Sequence, residues 1–126
     1  MLDASGSVGT KNWKKEPVFV MNVLKKLGDF NLKKGVRAAV IIYSNTNDVR
    51  LWIKLNDFNS IDDFEKKLYK YKYVSYQRTA INEALIKANK VFKKRNGNRP
   101  GVQDVLVLVT DGQQVIMFVY LNLCIY

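Results

Sequence analysis

Apolar residues recur along the first half of the chain in patterns that predict one helix and two strands. Between residues 13 and 27 they follow helical spacing, and Gly28 is a stop signal. Pro17 lies within this segment, so we expect the helix to begin there or to be distorted in its first turn. Residues 36–44, VRAAVIIYS, form an almost continuous apolar run that predicts a strand covered on both faces. Residues 49–55 alternate between apolar and polar positions, which predicts a half-exposed strand hairpinned to the previous one.

The second half of the chain continues this alternation of strands and helices. Ser60 followed by Asp63 resembles a helix-opening cap, and another helix is expected to start near Thr79. The segment VLVLVTDG then predicts a buried strand that ends in Asp111. This order of elements indicates an α/β fold with a mostly parallel sheet. Because ligands bind beyond the carboxyl ends of such strands, Asp111 should meet Asp3, which ends the first strand, at one edge.

A short polar segment, DASGS, follows the first strand. Asp3, Ser5 and Ser7 alternate with small residues, so a tight turn can direct three oxygen atoms to one point. Mg²⁺ prefers hard oxygen ligands, few carboxylates and several retained water molecules. The segment is therefore a candidate metal site, to which Asp111 would contribute from the neighbouring strand. A polar turn that binds no metal is the alternative.

Composition narrows the classes of function. The chain has 126 residues, enough for one ordinary domain, and 48% of them are hydrophobic, enough to form a core. His is absent, which excludes Ser-His-Asp and Cys-His catalysis, and the lone Cys124 excludes an intrachain disulfide and a Cys-based zinc cage. With 21 Lys and Arg against 11 Asp and Glu, the formal charge is +10, which attracts acidic partners such as sulfated glycans, nucleic acids or anionic lipids.

Several segments resemble, in order and spacing, those of von Willebrand factor type A domains. LDASGSVG resembles the Asp-x-Ser-x-Ser motif of the family, and VLVLVTDG resembles its later strand with a metal-site aspartate. VRAAVIIYS, LNDFNSIDDFEKKL and RTAINEAL lie between them in the same register, so the resemblance covers about residues 2–113. It is of the extracellular matrix type found in matrilins and collagen VI. It implies a Rossmann-like α/β sandwich, with a mostly parallel sheet, one antiparallel edge strand and flanking helices.

The resemblance also implies a metal-ion-dependent adhesion site. In the family, its residues bind Mg²⁺ directly or through water, and Mn²⁺ or Ca²⁺ are possible substitutes. An acidic side chain of the partner fills the open coordination position. The matching residues of this chain are Asp3, Ser5 and Ser7 in the first motif, Thr79 before the Ala-Leu helix, and Asp111 as the last acid.

The predicted ligand-binding rim, which comprises Gln77, Arg78 and Gly112, departs from the family pattern. Gln77 and Arg78 stand where the family usually has glycines, so a stiffer loop and a nearby cation are expected to weaken Mg²⁺ binding. The same cation would attract an acidic ligand. The segment 69–76, YKYKYVSY, is predicted to frame this rim, with a stacking surface for single-stranded nucleic acid as the alternative.

Both ends depart from the family pattern, so residues 1–126 are expected to form a single, incomplete domain. Only two residues precede Asp3, where the family has a full apolar strand, and the atypical apolar tail 114–126 stands where the family has further elements. The tail is too short to span a membrane. We expect residues 115–123 to fold back as a strand, either beside the shortened first strand or at the sheet edge. Unpaired edges would favour self-association.

The sequence favours a non-enzymatic adhesion module of the extracellular matrix that binds an acidic residue of a protein ligand, such as collagen, through Mg²⁺. The first residues do not resemble a signal peptide, so secretion is implied only by the resemblance. Metal-independent binding of a glycosaminoglycan or nucleic acid by the basic surface is one alternative, and a non-functional fragment of a larger matrix protein is another. An enzyme is disfavoured because the Gly spacing of the first turn does not match a nucleotide-binding loop.

Overall fold

The computed structural model describes residues 1–75, 79–110 and 117–120, the last four by their backbone alone. The helices and strands follow in the order β1 (Leu2–Asp3), α1 (Gly9–Trp13), α2 (Lys15–Leu27), β2 (Val40–Tyr43), β3 (Val49–Ile53), α3 (Ile61–Leu68), α4 (Ile81–Val91), β4 (Val105–Leu108) and β5 (Met117–Tyr120). A short 3-10 turn, Lys94–Asn96, follows α4. The predicted alternation of strands and helices is confirmed.

The strands form a mixed sheet with a very short central strand. β1 is parallel to β2, and β2 is antiparallel to β3. On its other side, β1 meets the β4 segment through a parallel bridge between Leu2 and Val109. β5 is antiparallel to β4, and the bridge joins the three-stranded part, β3-β2-β1, to the two-stranded part, β4-β5. The predicted α/β class is confirmed, and antiparallel strands lie at both edges of the sheet.

β2 is shorter than the strand predicted over residues 36–44, and the prediction was wrong for residues 36–39. These residues and β4 line the same cavity, which has a volume of about 540 Å³. β1 begins only at Leu2, so no described strand lies between residues 36–39 and β4. An apolar, β-branched run satisfies the side-chain requirement of a strand, but the backbone also needs a partner to form the ladder.

The local sequence explains where two of the helices begin. Pro17 lies in the first turn of α2, where its missing N–H is harmless. The helix predicted over residues 13–27 is confirmed as α2 from Lys15, whereas Trp13 ends the separate short helix α1. α3 begins after Ser60, whose side chain accepts hydrogen bonds from the N–H groups of Asp62 and Asp63, as predicted. The described part of the chain contains no helix with the length and hydropathy that crossing a bilayer requires.

Two apolar clusters cover the two faces of the sheet. The first lies against α2 and α3 and includes Ile42 and Phe64, and the second lies against α4 and includes Ile41 and Ala84. Neighbouring residues of β2 belong to different clusters because successive side chains of a strand point to opposite faces. Leu2, at the centre of the sheet, is only 1% exposed. The end of β1, where the candidate site begins, therefore rests on a packed core.

The apolar tail contributes β5 to the outer edge of the sheet. Met1 pairs with the side of β4 that faces β1. Its N–H donates to the carbonyl of Val107, and its carbonyl accepts the N–H of Val109. β5 pairs with the same stretch of β4 and therefore lies on the opposite side, away from the cavity. The predicted edge strand is confirmed for residues 117–120, and the rest of 115–123 lies outside the described residues. Self-association through the sheet edges stays a prediction.

Candidate metal centre

Asp3 supplies the buried carboxylate of the candidate metal centre. It ends β1, is 1% exposed, and its N–H donates to the carbonyl of Val109 at 3.1 Å, which places the end of β1 beside the end of β4. The two carboxylate oxygens have separate partners. Oδ1 accepts the N–H of Ser5 at 2.9 Å, and Oδ2 accepts the hydroxyl of Thr110 at 2.7 Å. These two bonds fix the orientation of the carboxylate.

The turn after Asp3 brings two hydroxyl groups together. Ser5 is 2% exposed and Ser7 is exposed, and their Oγ atoms are 3.1 Å apart. Neighbouring oxygen ligands of an octahedral Mg²⁺, each about 2.1 Å from the ion, lie about 3.0 Å from one another. The separation of the two hydroxyls therefore matches that of two ligands of one ion.

Tyr73 fixes this turn from the side. Its hydroxyl donates to the carbonyl of Ser5 at 2.7 Å and accepts the N–H of Gly9 at 3.1 Å. Its ring stacks on Trp13, with 5.5 Å between the ring centroids, and Tyr71 contacts Trp13 with a centroid separation of 5.4 Å. The described part of this segment, residues 69–75, therefore frames the candidate site through Tyr73. Two of its tyrosines pack against tryptophan inside the protein and do not form a free stacking surface.

Thr79 reaches the same edge of the sheet from the start of α4. Its side chain is exposed, and the N–H of the next residue, Ala80, donates to the carbonyl of Ser44 at 2.7 Å. Ser44 directly follows β2, the neighbour of β1, so the structure places Thr79 beside the carboxyl ends of these two strands. Four predicted residues lie outside the described part of the chain, and their roles stay predictions: Gln77, Arg78, Asp111 and Gly112.

The family model of the von Willebrand factor type A domain matches residues 1–116. The chain belongs to this family. Cuticlin-6 of Caenorhabditis elegans is 32% identical over 114 residues, which is 90% of this chain and 18% of that protein. The collagen alpha-6(VI) chain of Homo sapiens is 29% identical over 115 residues, which is 90% of this chain and 5% of that protein. The collagen alpha-2(VI) chain of Gallus gallus is 29% identical over 119 residues, 90% of this chain and 11% of that protein. This type A chain thus spans less than a fifth of the length of these relatives.

Two polar residues of this type A domain were not predicted from the sequence. Thr110 holds the carboxylate of Asp3, and the available signal was its position directly before the aspartate of VLVLVTDG. Asp48, in the turn between β2 and β3, is 7% exposed and accepts the hydroxyl of Ser44 at 3.3 Å. Because Asp48 also pairs with Arg50 on β3, its charge is already compensated by a neighbouring residue. Asp3 is therefore the carboxylate that the described part of the type A motif offers to an ion.

The donor set of this type A domain fits a hard cation. Tyr43 lies fully buried under the site, and burial, with the nearby carboxylate of Asp3 acting in the same direction, raises the pKa of its phenol. The phenol therefore stays protonated and adds no negative charge. In the described residues no three Asp, Glu, His or Cys side chains form a cluster. One carboxylate and several hydroxyls suit Mg²⁺, which retains much of its water, better than a metal that prefers nitrogen or sulfur ligands.

Proposed function

We propose that this domain is a non-enzymatic matrix-binding module that captures an acidic side chain of a protein ligand through Mg²⁺. The observation that supports the proposal is the 3.1 Å separation of the Ser5 and Ser7 hydroxyls beside the oriented, buried carboxylate of Asp3. Few carboxylates at the ion leave it with net positive charge, which is the property needed to attract a carboxylate from outside.

The residues proposed to hold the ion are those of the sequence motif. The ion, when bound, would supply a positive centre for a ligand carboxylate, and Mn²⁺ or Ca²⁺ would take the same oxygen ligands. Asp3 is already oriented by two hydrogen bonds, and Tyr73 holds the serine turn in place. Little reorganisation of this turn is needed on binding, which favours affinity. The full proposed set is Asp3, Ser5, Ser7, Thr79 and Asp111, with Gln77, Arg78 and Gly112 at the rim.

The relatives support an extracellular location and a matrix partner. Two of the three relatives described above are named collagen chains, and the match covers 90% of this chain in each case. We therefore propose a secreted, extracellular protein whose ligand is collagen or another matrix protein. The chain itself supplies a binding surface, and the proposal assigns it no reaction.

Mg²⁺ binding is tested by unfolding the 126-residue chain with Mg²⁺ and with EDTA. At about 100 times its dissociation constant, Mg²⁺ should raise the free energy of unfolding by about 2.7 kcal/mol. Ser7→Ala removes an exposed hydroxyl whose Oγ lies 3.1 Å from that of Ser5, so it should reduce Mg²⁺ affinity by about tenfold or more and lower the free energy of unfolding in EDTA by no more than about 1 kcal/mol, the value of one hydrogen bond. Thr10→Ala, which removes another exposed hydroxyl on α1, is the matched control and should respond to Mg²⁺ like the parent chain.

The same proteins test the ligand. An immobilised collagen should bind the parent chain in Mg²⁺, lose it in EDTA, and bind Ser7→Ala weakly. A parent chain whose unfolding is indifferent to Mg²⁺ would contradict the metal centre. Collagen binding that persists in EDTA would contradict the proposed mode of capture even if the ion binds.

A further inference from the structure

Two lysine-rich loops meet at the amino ends of the central strands, and the candidate metal centre lies at the opposite, carboxyl ends. One follows α2 and contains Lys33 and Lys34, and the other follows α4 and contains Lys93, Lys94 and Arg95. All five side chains are exposed, and we call them the basic edge. The loops lead into β2 and β4, so they lie at the amino ends of strands whose carboxyl ends form the metal centre.

Two arginines hold the loops together although they are about 60 residues apart in sequence. Arg99, after the second loop, donates from Nη1 to the carbonyl of Lys33 at 3.0 Å and from Nη2 to the carbonyl of Gly35 at 2.5 Å. Arg37, after the first loop, donates to the carbonyl of Gly97. These acceptors are neutral, so both guanidinium groups join the loops and still add their full positive charge to this edge.

Side-chain amides order the backbone of both loops. Oδ1 of Asn31 accepts the N–H of Lys33 at 2.7 Å and the N–H of Lys34 at 3.3 Å. Nδ2 of Asn98 donates to the carbonyl of Phe92 at 2.8 Å. A partner therefore meets lysines on a backbone that is already ordered, and only side-chain freedom is lost on binding.

The positive charge of the basic edge is not neutralised by the acids that the structure describes. Among the described residues, ion pairs join Arg50 to Asp48 and Lys66 to Asp63, and neither pair includes a member of the basic edge. Asp29 and Asp104 belong to the same two segments and keep their negative charges, but the five cations of the basic edge together with Arg37 and Arg99 outnumber them. The whole chain has a formal charge of +10, and the basic edge carries a local excess of positive charge that attracts polyanions at long range.

We propose that the basic edge binds a sulfated glycosaminoglycan without a metal ion, in addition to the proposed capture of a protein ligand at the opposite edge. Sulfate groups along a linear chain match several cations placed along two adjoining loops. Residues 31–37 and 93–99 contain no aromatic side chain, so the stacking platform that single-stranded nucleic acid requires is missing from both loops. The similarity to collagen chains also favours a polyanion found outside the cell.

The test uses a heparin oligosaccharide and two matched variants, each with four Lys→Gln substitutions. The first changes Lys33, Lys34, Lys93 and Lys94 in the basic edge. The second changes Lys11, Lys14, Lys70 and Lys72, which are also exposed but lie on α1, directly after α1, or between α3 and α4. The first variant should bind heparin about tenfold or more weakly, and its slope of log affinity against log salt should fall by about three. The control should bind within about twofold of the parent, because both variants carry the same net charge.

Three outcomes would overturn the proposal. Equal weakening in both variants would show that net charge alone drives binding, and loss of heparin binding in EDTA would show that the metal centre is responsible. A DNA duplex that binds the basic edge more tightly than heparin would make nucleic acid the partner. If the quadruple variant does not unfold cooperatively, the Lys33/Lys34 and Lys93/Lys94 pairs are changed separately, and each should weaken heparin binding about threefold or more. Ser7→Ala should bind heparin like the parent, so the two proposals can fail independently.

Discussion

The α-amino group of Met1 makes the stability of the 126-residue polypeptide depend on pH. This group is buried at the base of β1, where it donates to the carbonyl of Val107 and lines the wall of the cavity. Burial lowers its pKa from 8.0 to about 5, and the negative charge of Glu16 opposes part of the effect. In the unfolded chain the amine is in water and regains its ordinary pKa.

The sign and size of the effect follow from proton linkage. Between about pH 5 and about pH 8 the unfolded chain binds a proton that the folded chain does not, so the free energy of unfolding rises with pH across this window. Protonation of the amine in the unfolded chain lowers the free energy of unfolding. This loss is complete below about pH 5, where it reaches about 4 kcal/mol, and is absent well above about pH 8. It amounts to about 3 kcal/mol at about pH 6 and about 1 kcal/mol at about pH 7. For a domain whose whole stability is roughly 5 to 15 kcal/mol, this is a large share.

The assay compares the chain that has a free Met1 amine with the Nα-acetylated chain between about pH 6 and about pH 8. Acetylation removes the charge but keeps an N–H that can donate to Val107, and the cavity of about 540 Å³ beside Met1 has room for the acetyl group. As the pH rises from about 6 to about 8, the free energy of unfolding of the free chain should increase by about 2 kcal/mol more than that of the acetylated chain. That corresponds to about 6 to 10 °C in Tm for a domain of this size. Parallel stability curves for the two chains would refute the reasoning, because every other titrating group is common to both.

Two further predictions concern hydrogen bonds of single side chains, measured by urea denaturation. Thr110→Val leaves Oδ2 of the buried Asp3 carboxylate without the hydroxyl at 2.7 Å and should lower the free energy of unfolding by about 1.5 to 3 kcal/mol, whereas Thr110→Ser should lose much less; equal losses would show that the hydroxyl contributes nothing. Ser60→Ala removes the cap of α3 and should lower the free energy of unfolding by about 1 kcal/mol, whereas Ser60→Asp should keep the cap, and an unchanged Ser60→Ala protein would refute the assignment.

Features encoded in neighbouring residues were predictable from the sequence. The cap at Ser60 depends on N–H groups two and three residues further along the chain, so a short window contains all of it. The contact between Ser5 and Ser7 is likewise local, since a tight turn joins them. The order of strands and helices follows from apolar periodicity, which reports the faces that each segment buries.

Features that depend on distant partners were not predictable from a pattern. Residues 36–39 have the side chains of a strand, but β1 does not extend alongside them, and periodicity contains no information about a missing neighbour. Thr110 and Tyr73 act on the site through bonds to residues that are 107 and 68 positions away in sequence. Their roles depend on the folded arrangement of β1, β4 and the segment after α3, and only the family resemblance indicated that this segment frames the site.

The position of β1 at the centre of the sheet has a mechanical consequence for the proposed capture of a ligand. This strand of two residues joins the part of the sheet formed by β2 and β3 to the part formed by β4 and β5, and it leads directly into the turn that would hold a ligand. A pull along β1 loads the bonds from Asp3 to Val109 and from Ala4 to Tyr43 in shear, so they resist together and fail together. If a ligand is captured as proposed, tension on it passes through these hydrogen bonds of β1, and the force at which adhesion ends is set by their rupture or by release of the ligand, whichever is weaker.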